Sequence, residues 1–492
     1  MKRLVNALGK LSRGTTACAV FVVCAATAIT LPAQVTPLFT FDGTHGASPY
    51  AGLVQATDGD LYGTTWGGGA KNAGTVFKIT PAGILTTLYS FCSHTNCTDG
   101  AEPEAGLFQA ANGDLYGTTF YGGSHNHGTV FRITPTGTLT TLYSFCSQSG
   151  CADGDLPLAR LVQAANRDLY GTTTSGGTHD GGTVFKITPS GTLTTLYSFC
   201  SQSACTDGLQ PVAGLVQLAD GDFYGTTQYG GANSSGTVFK ITPSGTLTTL
   251  YRFVCSQSGC PDGVDPTAGL VQAANGDLYG TTQLGGADSY GGTVFKITPS
   301  GTLTTLYSFC SQGSYPNCPD GAQPFAGLRQ AADGDLYGTT QFGGANSYGG
   351  TVFKITSSGT LTTLYSFCSQ SGCPDGTGPY PGLVQDTNGD FYGTTFSGGS
   401  TGDGTVFRLS VGLGPFVKMR PPFGEVGAAV KILGTNLTSA TSVSFTGTAA
   451  VFTVVSPSLI TTTVPAGASS GKVQVVTPSG TLSSIAVFRV MP

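Results

Sequence analysis

The chain has 492 residues, of which 75 are glycine and only 10% are charged, and its formal net charge is −5. The low charge argues against a disordered chain, and the high glycine content argues against long helices. We therefore expect many short strands joined by tight turns. The mild negative charge gives no electrostatic basis for binding nucleic acid or an anionic membrane.

The N-terminus has the composition of a secretory signal peptide. Basic residues up to Arg13 precede an apolar run from Ala17 to Ile29, which is followed by Leu31-Pro32-Ala33. This pattern predicts a signal peptide over residues 1–33, cleaved after Ala33, with Ala28 as the second choice. The run is short for a membrane span, although a retained N-terminal anchor is the alternative. We therefore expect a protein that is secreted or at the cell surface, with no membrane span in the mature chain.

One hexapeptide, Asp-(Leu/Phe)-Tyr-Gly-Thr-Thr, organises most of the sequence. Its copies start 54 to 58 residues apart, at Asp60, Asp114, Asp168, Asp222, Asp277, Asp335 and Asp390. A fixed period of this size indicates a solenoid, a propeller or another repeat array.

Each copy contains four strand-like runs, which in the fourth copy cover 214–217, 222–227, 237–242 and 246–253. Ala-Asp-Gly separates the first two runs and Pro-Ser-Gly the last two, and both are turn sequences. Seven units of four antiparallel strands predict an all-β fold, a seven-bladed β-propeller over residues 34–411. A β-solenoid is the alternative.

The two ends of the repeat region complement each other. The seventh copy ends at Ser410 without a fourth strand, whereas Val35–Phe41 supplies a spare copy of that strand at the N-terminus. We therefore expect the N-terminal strand to complete the last blade, which would remove an exposed sheet edge.

The sequence changes after this region. Residues 412–415 read as a linker, and residues 416–492 alternate apolar and polar positions in six or seven short runs. This pattern predicts an immunoglobulin-like β-sandwich.

Twelve cysteines follow the predicted signal peptide, and they form six close pairs. An even number of cysteines in an exported chain predicts a local disulfide within each pair. Zinc is the alternative, but the repeat has no histidine at a fixed position. The predicted partners are Cys92 and Cys97, Cys146 and Cys151, Cys200 and Cys205, Cys255 and Cys260, Cys310 and Cys318, and Cys368 and Cys373.

Three polar positions also recur in the copies. A glutamine ends the first strand of each copy, and we expect its amide to bond to backbone between neighbouring blades, although a ring of seven amides could also line a binding channel. A Lys or Arg in the third strand is expected to face the Asp that opens the second strand. The Asp of each Cys-x-Asp-Gly segment is expected to cap its own turn rather than to bind calcium.

The repeated run from Asp-Leu-Tyr-Gly-Thr-Thr through Gly-Thr-Val-Phe-Lys-Ile-Thr-Pro to Leu-Thr-Thr-Leu-Tyr-Ser-Phe resembles the GloVer (Gloeo_Verruco) tandem repeat of exported bacterial proteins, over residues 35–411. The C-terminal region resembles an IPT/TIG domain through 430–437, 440–445 and 464–468. The resemblance implies a bacterial extracellular or surface protein, and it supplies no activity to assign to these residues.

The sequence gives little support for catalysis. The histidines occupy no recurrent position, and His125 and His127 have no nearby carboxylate that would complete a metal site. Glu102 and Glu104 share one loop, whereas a glycosidase needs two carboxylates placed across a sugar. We therefore predict no catalytic residue, no metal and no cofactor. Whether the chain is an enzyme stays uncertain, with the balance against it.

A binding surface is expected on one side of the propeller. Length variation between copies falls between strands two and three and after strand four, and both connections emerge on the same side of a blade. This side also carries large aromatic residues after Gly-Thr-Thr, which would suit stacking on sugars. Their alternative role is packing between blades. They are Trp66, Phe120, Tyr121, Tyr229, Phe342 and Phe396.

Together these observations predict an exported, non-enzymatic binding or scaffold protein that presents propeller loops to an extracellular glycan or protein. The alternative is a polysaccharide-acting hydrolase or lyase on the same scaffold, because a fold alone does not decide between the two.

Overall fold

A computed structural model describes residues 33–256 and 259–491, and in these residues the chain is built from β-strands. The predicted signal peptide, except for Ala33, lies outside the described residues. None of the helices in the described part of the chain is long and apolar enough to cross a membrane.

Each of the first six repeat copies forms one four-stranded antiparallel sheet, a propeller-like blade, and the seventh copy supplies three strands of a seventh sheet. The strands of the first four copies are β2 Val54–Gln55, β3 Leu61–Thr65, β4 Thr75–Ile79, β5 Leu85–Ser90, β6 Phe108–Gln109, β7 Leu115–Thr119, β8 Thr129–Ile133, β9 Leu139–Ser144, β10 Val162–Gln163, β11 Leu169–Thr173, β12 Thr183–Ile187, β13 Leu193–Ser198, β14 Val216–Gln217, β15 Phe223–Thr227, β16 Thr237–Ile241 and β17 Leu247–Arg252. The next three copies contain β18 Val271–Gln272, β19 Leu278–Thr282, β20 Thr293–Ile297, β21 Leu303–Ser308, β22 Arg329–Gln330, β23 Leu336–Thr340, β24 Thr351–Ile355, β25 Leu361–Ser366, β26 Val384–Gln385, β27 Phe391–Thr395 and β28 Thr405–Ser410.

The seventh sheet contains strands from both ends of the repeat region. The N-terminal strand β1, Gln34–Thr40, pairs antiparallel with β28, from Gln34 opposite Ser410 to Thr40 opposite Thr405. The strand order is β1-β28-β27-β26, so β1 occupies the place of the missing fourth strand.

The repeated hexapeptide explains why neighbouring sheets pack closely. In the first copy Tyr62 is fully buried in a core that it shares with Leu107 and Phe131 of the next copy. Within its own sheet, a Cβ atom on Gly63 would lie 2.6 Å from the Phe77 ring, so only glycine fits there. The hydroxyl of Thr64 donates to the carbonyl oxygen of Ala105 in the next copy at 3.1 Å. The hexapeptide thus supplies both the packing and a polar contact that join one sheet to the next.

The hydrophobic cores lie between consecutive sheets, including the last and the first. Phe41 and Tyr392 of the seventh sheet share one core with Leu53 and Phe77 of the first copy. The segments before the first strands of these two copies also approach closely, since a Cβ atom on Gly52 would lie 3.0 Å from the carbonyl oxygen of Gly382.

The described residues contain six disulfides, one in each connection that leads from a fourth strand to the next copy. Each joins two cysteines of the same connection, so the predicted local pairing agrees with the structure and zinc is not needed to explain the pairs. Five of the bridges span five residues of sequence, and the fifth bridge along the chain spans eight. The bonds join Cys92 to Cys97, Cys146 to Cys151, Cys200 to Cys205, Cys255 to Cys260, Cys310 to Cys318, and Cys368 to Cys373.

An aspartate organises each of these disulfide loops, and it is buried in five of them, Asp262 being half-buried. Asp99 accepts hydrogen bonds from the Tyr89 hydroxyl at 2.8 Å and from the Ser93 amide at 2.9 Å. Burial raises the pKa of Asp99, but these hydrogen bonds outweigh it, so the pKa lies below its usual value. This aspartate therefore caps its own loop.

The other recurrent polar residues also have structural roles. Lys78 pairs with Asp60 at 3.1 Å, as expected for the basic residue of the third strand. The glutamines differ in part from the expectation. The Gln217 amide donates to the carbonyl oxygen of Gly221 in its own copy, because the tight turn brings that carbonyl within 2.9 Å.

The C-terminal region forms two four-stranded sheets and one parallel two-stranded pair around a shared hydrophobic core. It has more strands than expected because several contain only two or three residues. The strands are β29 Lys418–Arg420, β30 Phe423–Gly424, β31 Ala429–Leu433, β32 Ser442–Phe445, β33 Thr448–Ala450, β34 Phe452–Ser456, β35 Leu459–Thr463, β36 Val473–Thr477, β37 Gly480–Ser483 and β38 Arg489–Val490.

One turn residue gives a direct test of backbone strain. Arg167 has φ +71° at a turn position where the other copies have glycine. We expect Arg167→Gly to stabilise the fold by about 0.5–1 kcal/mol, because the relief of left-handed strain exceeds the added entropy of the unfolded chain. The measurement is the free energy of unfolding in urea.

The reverse substitution is the matched control. Gly221 has φ +88° at the same position of the fourth copy, and a Cβ atom there would have open space. Gly221→Arg should therefore destabilise by a similar amount through the backbone alone. Equal stability of both variants and the parent chain would contradict the strain argument.

Candidate functional site

A cavity of about 200 Å³, here called the upper cavity, is lined by residues of all seven copies. Each copy contributes the residue that follows a proline and precedes the first strand. The chemistry of this residue changes from copy to copy, whereas the strands around it hardly change. The seven residues are Tyr50, Glu104, Leu158, Val212, Thr267, Phe325 and Tyr380.

Aromatic rings form one side of the upper cavity. Tyr50 and Tyr380 stack with ring centroids 5.6 Å apart and planes inclined by 29°. Phe325 meets both rings edge to face, at 5.8 Å and 5.6 Å. Phe396 lies 5.1 Å from Tyr380. These rings form a continuous, partly buried aromatic surface, here called the aromatic wall, that consists of Tyr50, Phe325, Tyr380 and Phe396.

Glu104 supplies an acidic group at the same cavity. Burial raises its pKa to about 7, and the nearby charge of Glu102 acts in the same direction. The carboxyl group of Glu104 can therefore donate a hydrogen bond when protonated and accept one when ionised, close to neutral pH.

The six aromatic residues predicted from the sequence do not form one cluster. Phe396 belongs to the aromatic wall, whereas Trp66 donates its indole N–H to Glu102 at 2.9 Å. Trp66 and Tyr121 keep 40% and 39% of their surface exposed.

The remaining members of this set lie among their own loops. Phe120 contacts Tyr121 at 4.8 Å, and Phe342 lies 6.2 Å from Tyr315. Tyr229 accepts a hydrogen bond from Gln228 at 3.2 Å. None of the six therefore lines the upper cavity, and Phe396 alone contacts two rings that do, those of Tyr50 and Tyr380.

The sequence analysis missed Tyr50, Phe325 and Tyr380. Their signal was the variable residue after proline, which differs in type among copies that are otherwise nearly identical. Variation between repeats often falls on the binding face of an array, so this position could have been singled out from the sequence.

A second cavity, here called the lower cavity, has a volume of about 210 Å³ and lies between the repeats and the C-terminal domain. The repeats supply Phe108, Gln163 and Val216 to its lining, and the C-terminal domain supplies Arg420 and Phe423. The C-terminal domain therefore covers the side of the repeats on which the turns between first and second strands lie.

A polar network joins the C-terminal domain to the repeats. The Lys418 ammonium donates to the side-chain oxygen of Gln55 at 2.8 Å, and it also donates to the carbonyl oxygen of Gln385. Gln55 in turn donates to the Asp386 carboxylate at 2.6 Å. Burial raises the pKa of Asp386 and lowers the pKa of Lys418, and the two groups partly offset each other's shift.

One group of side chains has the spacing of a metal site, but its chemistry does not fit. Donor atoms of His127, Cys146 and Cys151 lie within 4.8 Å of one another. The two cysteines form a disulfide, and a disulfide sulfur is not the thiolate that binds a metal. The His127 ring instead contacts the Asp155 carboxylate at 2.8 Å, so the expectation that no carboxylate lies near this histidine is wrong.

The profile of the Gloeobacter/Verrucomicrobia repeat matches four overlapping segments, residues 18–206, 90–263, 151–319 and 314–430. The chain belongs to the Gloeobacter/Verrucomicrobia repeat family. The C-terminal part of this Gloeobacter/Verrucomicrobia repeat protein is an IPT/TIG domain, matched at residues 416–490. Both resemblances seen in the sequence are confirmed.

The solved structures that are similar to this Gloeobacter/Verrucomicrobia repeat protein do not assign its activity. A fungal alcohol oxidase of the AA5 family, in complex with copper, is 12% identical, with a TM-score of 0.51 over 94% of this chain and 100% of that one. A candidate gluconolactonase is 12% identical, with a TM-score of 0.38 over 78% and 93%. A luciferin-regenerating enzyme is 11% identical, with a TM-score of 0.37 over 62% and 89%. No curated protein matches the sequence.

Proposed function

We propose that this chain is an exported, non-enzymatic binding protein that holds an extracellular glycan at the upper cavity. The observation that carries the proposal is the aromatic wall beside a cavity that all seven copies line. Aromatic faces bind the apolar C–H faces of sugars, while the Tyr hydroxyls and the Glu104 carboxyl can bond to sugar hydroxyls.

The proposal includes a closed, seven-bladed ring. Support comes from the pairing of β1 with β28 and from the core that the seventh sheet shares with the first copy. A closed ring would hold the seven cavity residues in fixed positions, so that little conformational entropy is lost on binding.

Export is supported by two observations on the chain. Six local disulfides are typical of proteins that fold in an oxidising compartment. The pattern of residues 1–33 predicts a secretory leader.

The IPT/TIG domain then acts as a spacer or second contact, because it covers the opposite side and leaves the upper cavity free.

A glycan array followed by calorimetric titration of the bound glycan tests this function. The variant Tyr50→Ala/Tyr380→Ala should weaken binding at least tenfold, the usual cost of truncating buried aromatic anchors, while the melting temperature changes little. The triple variant Trp66→Ala/Tyr121→Ala/Tyr229→Ala is the matched control, since it removes aromatic rings outside the upper cavity. Loss of binding in the triple variant alone would move the site to the loops.

The raised pKa of Glu104 favours one second candidate, a polysaccharide-acting enzyme with Glu104 as its acid. Glycosidases use two carboxylates at the scissile bond. Incubation of the parent chain and Glu104→Gln with the glycan that binds decides between the candidates. Intact glycan in both samples supports a binding protein, whereas cleavage by the parent chain alone assigns catalysis to Glu104.

A further inference from the structure

Four cationic side chains lie close together where the C-terminal domain meets the first strands of the repeats. They are Arg160, Arg329, Lys418 and Arg420, here called the inner cation cluster. Arg160 lines the upper cavity and Arg420 the lower one. The cluster is therefore placed between the two cavities, with three half-buried members and Arg160 exposed.

The two arginines of the repeats break the repeat pattern. Arg160 stands where every other copy has glycine, at Gly52, Gly106, Gly214, Gly269, Gly327 and Gly382. Arg329 stands where the other copies have valine or phenylalanine, at Val54, Phe108, Val162, Val216, Val271 and Val384. Because these other copies fold without a cation at either position, the blade itself does not need one.

The three arginines have few partners: Arg329 and Arg420 are half-buried, whereas Arg160 is exposed at the upper cavity. In the described residues no carboxylate oxygen lies within 4.0 Å of Arg160, Arg329 or Arg420. The Nε atoms of Arg329 and Arg420 are buried without an acceptor. Arg420 makes one long hydrogen bond from Nη2 to the carbonyl oxygen of Gln55, at 3.4 Å. The Arg160 guanidinium lies 5.9 Å from the Phe108 ring centroid.

The positive charges of the inner cation cluster lower one another's pKa values. Desolvation by the cavity walls lowers the pKa of Arg160, and the charges of Arg420 and Arg329 act in the same direction, although the side chain stays exposed. Burial lowers the pKa of Arg420 to about 10 as well, with Arg329 adding to the effect. The nearby carboxylate of Asp386 accepts a hydrogen bond from Gln55, and its negative charge offsets the positive charge of Lys418. Within the described residues, three guanidinium charges thus remain without a counter-ion.

We propose that the inner cation cluster binds a small oxyanion of the phosphate or sulfate class, which joins the IPT/TIG domain to the repeats. A multiply charged oxyanion supplies acceptors to several guanidinium groups at once, and arginine is well suited to this because of its forked donors. It also removes the cost of burying like charges together. The anion reaches the cluster through the upper cavity, which Arg160 lines.

Titration of the full-length chain with phosphate and with sulfate, against chloride at equal ionic strength, tests the site. Calorimetry should find one site per chain, and the melting temperature should rise saturably, by roughly 3 °C at a hundredfold excess over the dissociation constant. Phosphate and sulfate are tested separately, so that the preferred anion is identified.

The variant Arg160→Gly/Arg329→Val should lose both the heat of binding and the temperature shift. It installs residues that the other copies carry at these positions, so the blades are expected to fold. The charge-matched control is Arg167→Gly/Arg252→Ser, which also replaces two arginines by the residues usual in the repeat, but on the exposed surface. It should keep the full anion response.

Either of two results overturns the site: a parent chain whose stability is the same in all three salts, or a cluster variant that responds to phosphate and sulfate as the control does. The glycan titration is a separate measurement on the aromatic wall, so failure of one proposal leaves the other standing.

Discussion

Removal of residues 34–41 is expected to destabilise the repeat region by more than about 5 kcal/mol, the largest effect that we predict. The deletion takes away the pairing partner of β28 and removes Phe41 from the core that the seventh sheet shares with the first copy. It also leaves β28 as a free edge, on which chains can associate. Thermal unfolding and light scattering measure the two consequences.

A synthetic peptide of residues 33–41 provides the control for this deletion. Added to the shortened chain, it should bind β28 by strand addition and recover stability in proportion to its concentration. A scrambled peptide of the same composition should not. Unchanged stability of the shortened chain would mean that β1 is dispensable and that the seventh sheet is stable with three strands.

Asp386→Ala is expected to cost about 3 kcal/mol, because it removes the carboxylate that balances the buried Lys418 and leaves Gln55 without its acceptor. Most of the other copies already have alanine at this position, so the loss should fall on the contact with the IPT/TIG domain. Limited proteolysis should release that domain earlier than in the parent chain.

Two further variants separate this effect from general damage. Asp335→Ala removes the carboxylate of a more exposed pair with Lys354, and it should cost less than about 1 kcal/mol. Adding Lys418→Met to Asp386→Ala should recover part of the loss, since the buried charge left without its partner is then gone. Strictly additive losses in the double variant would show that Asp386 and Lys418 do not interact.

Sequence alone predicted the strands because each feature of a strand is local. The alternation of residues, the Asn-Gly and Asp-Gly turns and the cysteine spacing all lie within one copy. The pairing of β1 with β28 was also predictable, because it followed from counting strands at the two ends. In the C-terminal domain the number of strands was underestimated, because β30 and β38 contain two residues each and carry no alternation signal.

The candidate site was harder to predict because it depends on contacts between copies. Tyr50 and Tyr380 come from opposite ends of the repeat region and stack only because the first and seventh copies are neighbours. The repeat pattern singled out the residues after Gly-Thr-Thr, but it does not show which way their side chains point. Arg160 was visible as a departure from the pattern, whereas Lys418 and Arg420 join it only once the C-terminal domain has docked.

The pairing of β1 with β28 has a consequence for the order of events during biosynthesis. The strand made first finds its partner only after nearly the whole repeat region has been made, so this pairing has the longest sequence separation of any in the repeats. Such contacts form late and slowly, because the entropy of closing a long loop must be overcome first. The nascent chain therefore carries β1 unpaired through most of its synthesis. During that interval the seventh sheet does not yet protect β1 from association with other chains, so something else must protect it.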